Sequence, residues 1–322
     1  MAADPLSDLL KTVRLTGAVF FDIAAQEPWA VASPPQELIL PKILPGADHL
    51  IAYHVVTEGR CFATATGGQA IALEAGEVVV FTSSQSHVMS SGPDMCADPP
   101  MQDVIEVAAA GKKPFCINYG TGAPSTRLVC GYFACDARPF NPLLENLPPV
   151  ITAGGPRSDG GGLIAQFIRF AVAEATDRHA GSDSVLTKLS ELMFIDVVRR
   201  YLEALPPQQA GWLAGLREPH IAKALSSMHG KPAHDWTIEE LAKQAGLSRS
   251  VLAERFASVV GIPPMHYLAK WRMQLAAELL TGGNTNLAGI AAAVGYESEA
   301  AFSRAFKKMI GVAPSAWRRR GF

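Results

Sequence analysis

Short apolar runs, separated by turns that contain glycine or proline, make up the chain from Leu15 to about Tyr132. The runs are rich in β-branched and aromatic residues, a composition that predicts strands. Many short strands with frequent turns indicate a barrel or a sandwich, and we expect a barrel. The predicted strands are residues 18–23, 38–43, 51–57, 61–66, 78–81, 115–119 and 127–133.

Helical spacing of apolar residues occurs before and after this β-rich part. Residues 5–14 are predicted to form a short amphipathic helix, and residues 162–178 and 184–204 two longer ones. The longer helices carry more apolar positions than a solvated connector needs, so they should pack on another domain or a second subunit. The polar residues 92–111 predict a long mobile loop, and Pro206-Pro207-Gln208-Gln209 predicts a linker.

A repeat with a spacing of 50 residues occupies the last third of the chain. When Ser248 is aligned with Ser298, apolar residues, glycines and prolines coincide. Upstream of the serines the spacing is 49 residues, because the second copy has one extra residue between Gly295 and its serine. The coinciding pairs are Leu252 and Phe302, Phe256 and Phe306, Val260 and Ile310, Gly261 and Gly311, Pro264 and Pro314, and Tyr267 and Trp317.

Each copy of the repeat has the physical layout of a helix-turn-helix. A short helix carries a small residue, Ala242 or Ala291, where a second helix can cross closely. Four residues later a glycine permits the left-handed backbone of the turn, and a serine then N-caps the second helix. The apolar residues of that helix lie four apart on one face, so the other face is free to enter a DNA major groove. A helical interaction domain that ignores DNA is the alternative, and two units at matched spacing make it unfavourable.

Charge is divided unevenly at Ala210. Residues 1–209 contain 14 Lys and Arg against 22 Asp and Glu, a net charge of −8, whereas residues 210–322 contain 14 against 8, a net charge of +6. A basic segment that carries the repeat indicates a polyanionic partner, double-stranded DNA, although chance segregation of charge is the simpler alternative. We expect residues 1–150 to sense an effector, residues 151–209 to connect and dimerise, and the basic segment to bind DNA.

The basic segment resembles the AraC/XylS family of transcription regulators over about residues 218–320. The resemblance is carried by Trp236-Thr-Ile-Glu-Glu-Leu-Ala242, by the junction Gly261-Ile-Pro-Pro-Met-His-Tyr267, and by Ile290-Ala-Ala-Ala-Val-Gly-Tyr-Glu-Ser298. It implies seven helices, two of which are recognition helices inserted into adjacent major-groove segments. It also implies a connecting helix at residues 264–280, about 25 Å long at 1.5 Å per residue.

Base readout is expected from exposed positions of each second helix. Arg304 can donate two hydrogen bonds to O6 and N7 of one guanine, and Glu254 can accept from N4 of a cytosine. Lys307, Lys308 and the Arg318-Arg319-Arg320 tail are expected to neutralise phosphates, with a solvated surface charge as the alternative for each. The candidate set for DNA contact is Arg249, Ser250, Ala253, Glu254, Glu299, Ala300, Ser303, Arg304, Lys307 and Lys308.

The β-rich part resembles the cupin-type sensor domains that precede the DNA-binding half in many AraC-type regulators. The resemblance is carried by Tyr53-His-Val-Val-Thr-Glu-Gly59, Leu73-Glu-Ala-Gly-Glu-Val-Val-Val-Phe81 and Cys130-Gly-Tyr-Phe133. It implies an α+β chain with a cupin-like β-barrel, a helical connector and an all-α domain with two helix-turn-helix units. A small-molecule effector is expected inside the barrel. Candidate lining residues are Tyr53, His54, Phe62, Phe81 and His87.

Enzymatic members of the cupin class raise the question of a metal site. They place two histidines and a glutamate before the first glycine, here Gly59, and a third histidine in the second motif. His87 keeps the spacing from Gly76, but Ala52 stands where the glutamate would be. A metal site needs at least three protein ligands. We therefore expect no metal, no cofactor and no enzyme activity, with a reduced site on His54 and His87, and hence a cupin enzyme with a DNA-binding tail, as the alternative.

The five cysteines show neither a Cys-x-x-Cys pair nor zinc-ligand spacing. Cys96 lies in a polar segment that contains methionine, so a redox-responsive regulator is the alternative to small-molecule control. Its neighbours Asp94 and Asp98 are acidic, whereas reactive cysteines are typically found beside positive charge.

The pattern of hydrophobicity predicts a cytoplasmic protein without a membrane span or a signal peptide. No basic segment followed by an apolar stretch opens the sequence, and no window of about 18 uncharged apolar residues occurs. A homodimer is expected, and RNA polymerase is the further partner of an activator, which we expect this regulator to be.

Overall fold

A computed structural model of the chain describes residues 4–12, 15–43, 48–83, 85–97, 115–135, 139–155, 162–177, 180–206, 209–282 and 285–320. The described residues fall into two compact units. We name these the β unit, which contains Leu15–Cys135 and Leu147–Glu203, and the helical unit, which contains Met1–Arg14, Asp136–Asn146 and Ala204–Phe322. Among the described helices, none is long and apolar enough to cross a membrane. Most of the mobile loop expected at residues 92–111 lies outside the described residues.

The described strands of the β unit form two sheets. They are β1 (Thr16–Ala25), β2 (Ala30–Ala32), β3 (His49–Glu58), β4 (Arg60–Ala65), β5 (Ile71–Glu74), β6 (Glu77–Phe81), β7 (His87–Ser90), β8 (Phe115–Tyr119), β9 (Thr126–Cys135) and β10 (Val150–Gly154). One sheet has the order β10-β6-β3-β9-β1-β8 and is antiparallel except between β1 and β8. The other has the order β2-β7-β4-β5 and is antiparallel throughout.

The expectation of a closed barrel is wrong. Closure requires the first and last strands of one sheet to hydrogen-bond with each other. Among the described strands, β10 and β8 are the edges of the first sheet, and β2 and β5 are the edges of the second. The architecture is therefore a pair of sheets within an α+β chain.

Side chains from both sheets share one apolar core. Leu50, Ala52 and Val56 point into it from alternate positions of β3. Leu128 of β9 and Met89 of β7 join them from the two sheets. The core therefore lies between the sheets, where each Å² of apolar surface removed from water contributes about 25 cal/mol.

Helices occur near both ends of the sequence and in its middle. The described helices are α1 (Pro5–Thr12), α2 (Gln36–Ile43), α3 (Pro142–Asn146), α4 (Leu163–Asp177), α5 (Ser182–Ala204), α6 (Trp212–Arg217), α7 (Pro219–Gly230), α8 (Ile238–Ala245), α9 (Arg249–Val260), α10 (Pro264–Gly282), α11 (Leu287–Ala293), α12 (Glu299–Ile310) and α13 (Pro314–Arg320). The seven helices implied between residues 218 and 320 are confirmed as α7 to α13.

The predicted strand at residues 38–43 is wrong, because these residues lie in helix α2. A short apolar run fits a strand and a buried helical turn equally well. A tertiary contact helps to decide it here, since the Leu50 N–H of β3 donates to Gln36 Oε1 at the start of α2, at 2.9 Å.

Helices α4 and α5 pack on the face of the six-stranded sheet that points away from the core. Phe167 of α4 meets the ring of Tyr53 edge-on at 6.1 Å, and Phe194 of α5 lies 5.1 Å from Phe133. Such aromatic pairs stabilise by about 0.5–1.5 kcal/mol beyond their burial. These helices thus belong to the β unit in structure.

The helical unit contains two segments from outside its main sequence range. Helix α1 packs against α7 and α10, with Leu9 fully buried. Between β9 and α3, the Phe140 N–H donates to Gln274 Oε1 of α10 at 2.9 Å, and both residues are buried.

Candidate DNA interface and effector cavity

Capping residues set the turn of the first helix-turn-helix, which consists of α8 and α9. The Glu240 N–H donates to Thr237 Oγ1 at 3.2 Å, and the Thr237 N–H donates to Glu240 Oε2 at 3.0 Å. Gly246 ends α8 with a left-handed φ of 73°, and Ser248 Oγ accepts from the Val251 N–H at the start of α9. One helix therefore ends and the next begins within three residues, as the repeat predicts.

The second helix-turn-helix, α11 and α12, repeats this arrangement with different residues. Asn286 Oδ1 accepts from the Gly289 N–H at 2.7 Å and caps α11. Gly295 takes the left-handed turn position with φ of 79°. Ser298 Oγ accepts from the Ala301 N–H at 3.2 Å and caps α12. The aligned serines thus have the same structural role in both copies.

The two recognition helices, α9 and α12, bury one face and expose the other. Leu252 and Phe256 are buried on α9, and Phe302 and Phe306 on α12, each pair four residues apart. Of the candidates for DNA contact, the exposed ones are Arg249, Ser250, Glu254, Glu299, Ala300, Arg304, Lys307 and Lys308, and the partly buried ones are Ala253 and Ser303.

The candidate cations differ in their partners within the chain. Arg249 Nη1 forms an ion pair with Glu239 Oε1 of α8 at 2.8 Å, and both side chains are mostly exposed. A pair at this exposure contributes about 0.2–1 kcal/mol, so a nucleic acid competes for the arginine at small cost. Arg304 has neither an ion pair nor a hydrogen bond to another described residue, so its guanidinium is available for a base.

The structure of the helical unit differs from the sequence-based prediction at two residues. Arg318 Nη2 donates to the Thr285 carbonyl oxygen at 2.6 Å, so this predicted phosphate contact is held within the unit. Val251 of α9 is 44% exposed and was not among the candidates. It lies three residues before Glu254, hence on the same helical face, and its methyl groups suit a thymine methyl. That spacing is the signal that would have found it.

Helix α10 links the two units of the repeat and spans about 28 Å at 1.5 Å per residue. Its Tyr267 hydroxyl accepts from Trp212 Nε1 at 2.7 Å and lies 2.7 Å from His229 Nε2, to which it donates. Burial lowers the pKa of His229 to about 3, so the imidazole is neutral and can accept that proton. The network joins α6, α7 and α10 behind the first recognition helix.

A cavity of about 50 Å³ lies in the core of the β unit. Its walls come from strands of both sheets and from the segment between β1 and β2. Most of the wall is aliphatic or aromatic, and none of its described residues is Asp, Glu, Lys or Arg. Its larger apolar residues are Phe21, Ile23, Val31, Met89, Ile117 and Leu128, and its polar ones include Trp29, Ser33, His54, His87 and Tyr132.

His87, which is buried, and His54, which is partly buried, meet at the cavity wall. His54 Nε2 lies 2.7 Å from His87 Nε2, so one ring donates a hydrogen bond to the other, and His54 Nδ1 lies 2.8 Å from Cys130 Sγ. Burial lowers the pKa of His54 to about 3 and that of His87 well below its usual value. Because Cys130 approaches the opposite nitrogen of His54, the three side chains do not converge. No group of three metal-ligating side chains occurs among the described residues.

The five residues predicted to line an effector pocket occupy different places. His54 and His87 lie in the wall, and the Phe81 ring stacks on His87 with centroids 3.8 Å apart. Tyr53 points to the opposite face of β3, since neighbouring residues of a strand alternate in direction. Phe62 is partly buried on β4 outside the wall. Trp29 and Ile117 belong to the wall and were missed, because only the pairing of distant segments brings them there.

Comparisons with known proteins place the chain among transcription regulators. A family model described as Cupin matches residues 4–203, and one described as Helix-turn-helix domain matches residues 241–320. A putative AraC-like transcription regulator of Streptomyces antibioticus is 34% identical over 328 residues, 98% of each chain. The chain belongs to the AraC family of transcription regulators.

Other transcription regulators match over most of their length. The HTH-type transcriptional regulator AlkR of Acinetobacter baylyi is 30% identical over 98% of this chain and 99% of its own. The RCS-specific HTH-type transcriptional activator RclR of Escherichia coli is 26% identical over 85% of this chain and 86% of its own. The resemblance inferred from the repeat is thereby confirmed. This AraC-family chain is a DNA-binding transcription regulator, with a cupin-type part that contains the cavity.

Proposed function

We propose that a small-molecule effector, bound in the cavity of the β unit, controls DNA binding by this regulator. The observation that supports it is a mostly apolar cavity in the part of the chain that matches the cupin model. Residues 1–150 then sense the effector, residues 151–209 connect and dimerise, and residues 210–322 bind promoter DNA. The protein acts in the cytoplasm as an activator that works with RNA polymerase, and it is not an enzyme.

Base recognition in this proposal comes from the exposed faces of α9 and α12. Arg304 donates to a guanine, Glu254 accepts from a cytosine, and Lys307 and Lys308 neutralise phosphates. The exposure of these four side chains supports these roles. Arg304 is favoured over Arg249, because Arg249 must first leave its ion pair with Glu239.

A homodimer is supported by large apolar side chains exposed on the helices of the β unit. Phe170 of α4 is 54% exposed, and Val185 and Leu192 of α5 are 42% and 48% exposed. Val185 and Leu192 lie seven residues apart, hence on one face of α5, and exposed apolar residues that share a helix face are typical of a protein interface. We assign this surface to the second copy of the chain.

Sequencing of DNA fragments that co-purify with the protein from cells provides the binding site needed to test DNA recognition. On such a fragment, Arg304→Ala should weaken binding by about 1–3 kcal/mol and relax specificity at one base pair. Arg60→Ala is the matched control, because Arg60 is an exposed arginine on β4 of the β unit. If Arg304→Ala lowers the affinity equally for every DNA sequence, Arg304 contacts a phosphate and not a base. If Arg60→Ala lowers the affinity by the same amount, Arg304 contacts neither.

Redox control through Cys96 is the second candidate function. Cys96 is exposed, and one relative carries the description RCS-specific. Under redox control, Cys96→Ser should abolish a promoter response to oxidant and leave basal DNA binding intact. Under small-molecule control the variant responds to its effector as the wild type does, which is the result we expect. Cys116→Ser is the matched control, since Cys116 is also exposed.

A further inference from the structure

The two halves of the helical unit's repeat touch each other at a second place besides their covalent link through α10. One side of this contact is the loop between α7 and α8, residues 231–237, which leads into the first helix-turn-helix. The other side is the turn at Gly295 and Tyr296, between α11 and α12. The approach is so close that a β-carbon added to Gly295 would lie 2.7 Å from the Ala233 carbonyl oxygen and 2.9 Å from its Cα.

Arg272, in the middle of α10, completes this contact. Its Nε donates to the Pro232 carbonyl oxygen and its Nη2 to the His234 carbonyl oxygen, each at 2.8 Å. The same guanidinium faces the ring of Tyr296, with 6.0 Å between Cζ and the ring centroid. A guanidinium is planar and its donor directions are fixed, so one side chain can hold the loop and the turn in one mutual orientation.

The α7–α8 loop is itself tied to the first helix-turn-helix. Trp236 Nε1 donates to the Lys231 carbonyl oxygen at 2.9 Å, and the Trp236 N–H donates to the His234 carbonyl oxygen at 2.8 Å. The next residue, Thr237, forms the capping box that begins α8. A displacement of the loop relative to α8 would therefore break hydrogen bonds, and the loop gives Arg272 a fixed support.

On the other side of the contact, Tyr296 is tied to the second helix-turn-helix. Its N–H donates to the Ala291 carbonyl oxygen of α11 at 2.8 Å. Its ring meets the ring of Phe302 of α12 at a centroid distance of 5.8 Å, and Phe302 is fully buried. Contacts thus run without a gap from α8, through Arg272, to the second recognition helix.

From these contacts we propose that Arg272 is a positioning residue for DNA recognition, which fixes the orientation of α12 relative to α9 and so sets the spacing of the two DNA segments that the protein reads. This role rests on the proposed base readout by both helices and requires no contact between Arg272 and a base. Each base pair of a duplex adds about 3.4 Å along the axis and about 35° of rotation, so two helices held in one orientation fit one spacing.

The spacing preference of the full-length chain tests this role. One DNA fragment is the promoter site recovered with the protein, and a second carries one base pair inserted between the two protected segments. The wild type should bind the second fragment about tenfold more weakly, because one recognition helix loses base contacts. Arg272→Gln removes the planar fork of donors and the charge. In this variant the ratio of the two affinities should shrink to about threefold or less, because the second unit can follow the displaced groove.

The ratio of affinities separates positioning from general stabilisation. An arginine that only stabilises the fold would, when replaced, weaken binding to both fragments equally, and an unchanged ratio in Arg272→Gln would overturn the proposal. Arg217→Gln is the matched control. Arg217 Nη1 also donates to a backbone carbonyl oxygen, that of Leu205 at 2.5 Å, but neither residue belongs to a helix-turn-helix. The control should keep the wild-type ratio, and an equal shrinkage there would also count against Arg272.

A milder variant keeps the proposal testable if Arg272→Gln does not fold, which circular dichroism shows. Arg272→Lys retains the charge without the planar fork, so its ratio should lie between those of the wild type and Arg272→Gln. A wild-type ratio in a folded Arg272→Lys would then overturn the proposal. Footprinting of the wild type distinguishes this failure from failure of the proposed base readout. A single protected segment would overturn readout by two helices and the spacing role with it, whereas two segments with an unaltered ratio would overturn the spacing role alone.

Discussion

Replacement of Gly295 by alanine tests how tightly the second helix-turn-helix is packed. Gly295 has a left-handed φ of 79°, which costs an L-residue with a β-carbon about 1–2 kcal/mol. An added β-carbon would also lie 2.7 Å from the Ala233 carbonyl oxygen and 2.9 Å from Arg272 Nη2. The arginine is not free to retreat, since it donates to the carbonyl oxygens of Pro232 and His234, each at 2.8 Å.

The overlap therefore forces the turn backbone or the guanidinium to move. Loss of one hydrogen bond from a charged donor costs about 1.5–3 kcal/mol, which brings the expected loss of stability for Gly295→Ala to about 2.5–5 kcal/mol. Gly246, the aligned glycine of the first unit, is the matched control. Its φ is 73°, but the nearest atom to an added β-carbon is His220 Nδ1 at 3.8 Å. Gly246→Ala should cost only the backbone strain, about 1–2 kcal/mol.

Native-state hydrogen exchange of the full-length chain measures these losses, because it reports the helical unit separately from the β unit. Protection of amides in α11 and α12 should fall more in Gly295→Ala than protection of α8 and α9 falls in Gly246→Ala. An equal fall in amide protection in the two variants would refute the tight packing around Gly295. A larger fall in Gly246→Ala would place the tighter turn in the first helix-turn-helix instead.

Acidification should destabilise the fold, because loss of hydration in the fold holds the pKa values of His54, His87 and His229 below the usual 6.5. Below that pH the unfolded chain binds protons that the folded chain does not, so each histidine lowers the free energy of unfolding by about 1.4 kcal/mol per pH unit until the folded pKa is reached. Urea unfolding at about pH 7 and pH 5 checks this, and an unchanged midpoint would contradict it. Leu192→Asp should convert a dimer to a monomer in light-scattering measurements, whereas Leu38→Asp, at a similarly exposed leucine of α2, should not. A dimer that survives Leu192→Asp would remove α5 from the interface.

The sequence was most informative where local chemistry sets the structure. Glycine and serine at matched positions predicted both turns, and Pro264 marked the start of the connecting helix, which the structure describes as Pro264–Gly282. These features depend on residues close in sequence, through left-handed glycines and N-caps. The Leu252 and Phe256 pair likewise predicted the buried face of α9, since helical spacing determines which side chains share a face.

Features that depend on contacts between segments distant in sequence could not be predicted from local patterns. Helix α1 belongs to the helical unit because residues such as Leu9 are buried there. The local sequence does not predict this placement. The placement of Trp29 in the cavity wall depends on the pairing of β2 with β7. Tyr53 and His54 were assigned to one pocket, although the alternation of a strand directs them to opposite faces. That error was avoidable from the sequence, because residues 51–57 were already predicted to form a strand.

The dependence of DNA affinity on salt tests the central claim most directly. On a promoter fragment recovered with the protein, the logarithm of the binding constant should fall linearly with the logarithm of salt concentration, with a slope of about −0.9 for each phosphate neutralised. The footprint should show two protected major-groove segments on one face of the duplex, about 34 Å apart, one for α9 and one for α12. An affinity that does not change with salt, or protection of a single segment, would contradict DNA binding by two helix-turn-helix units.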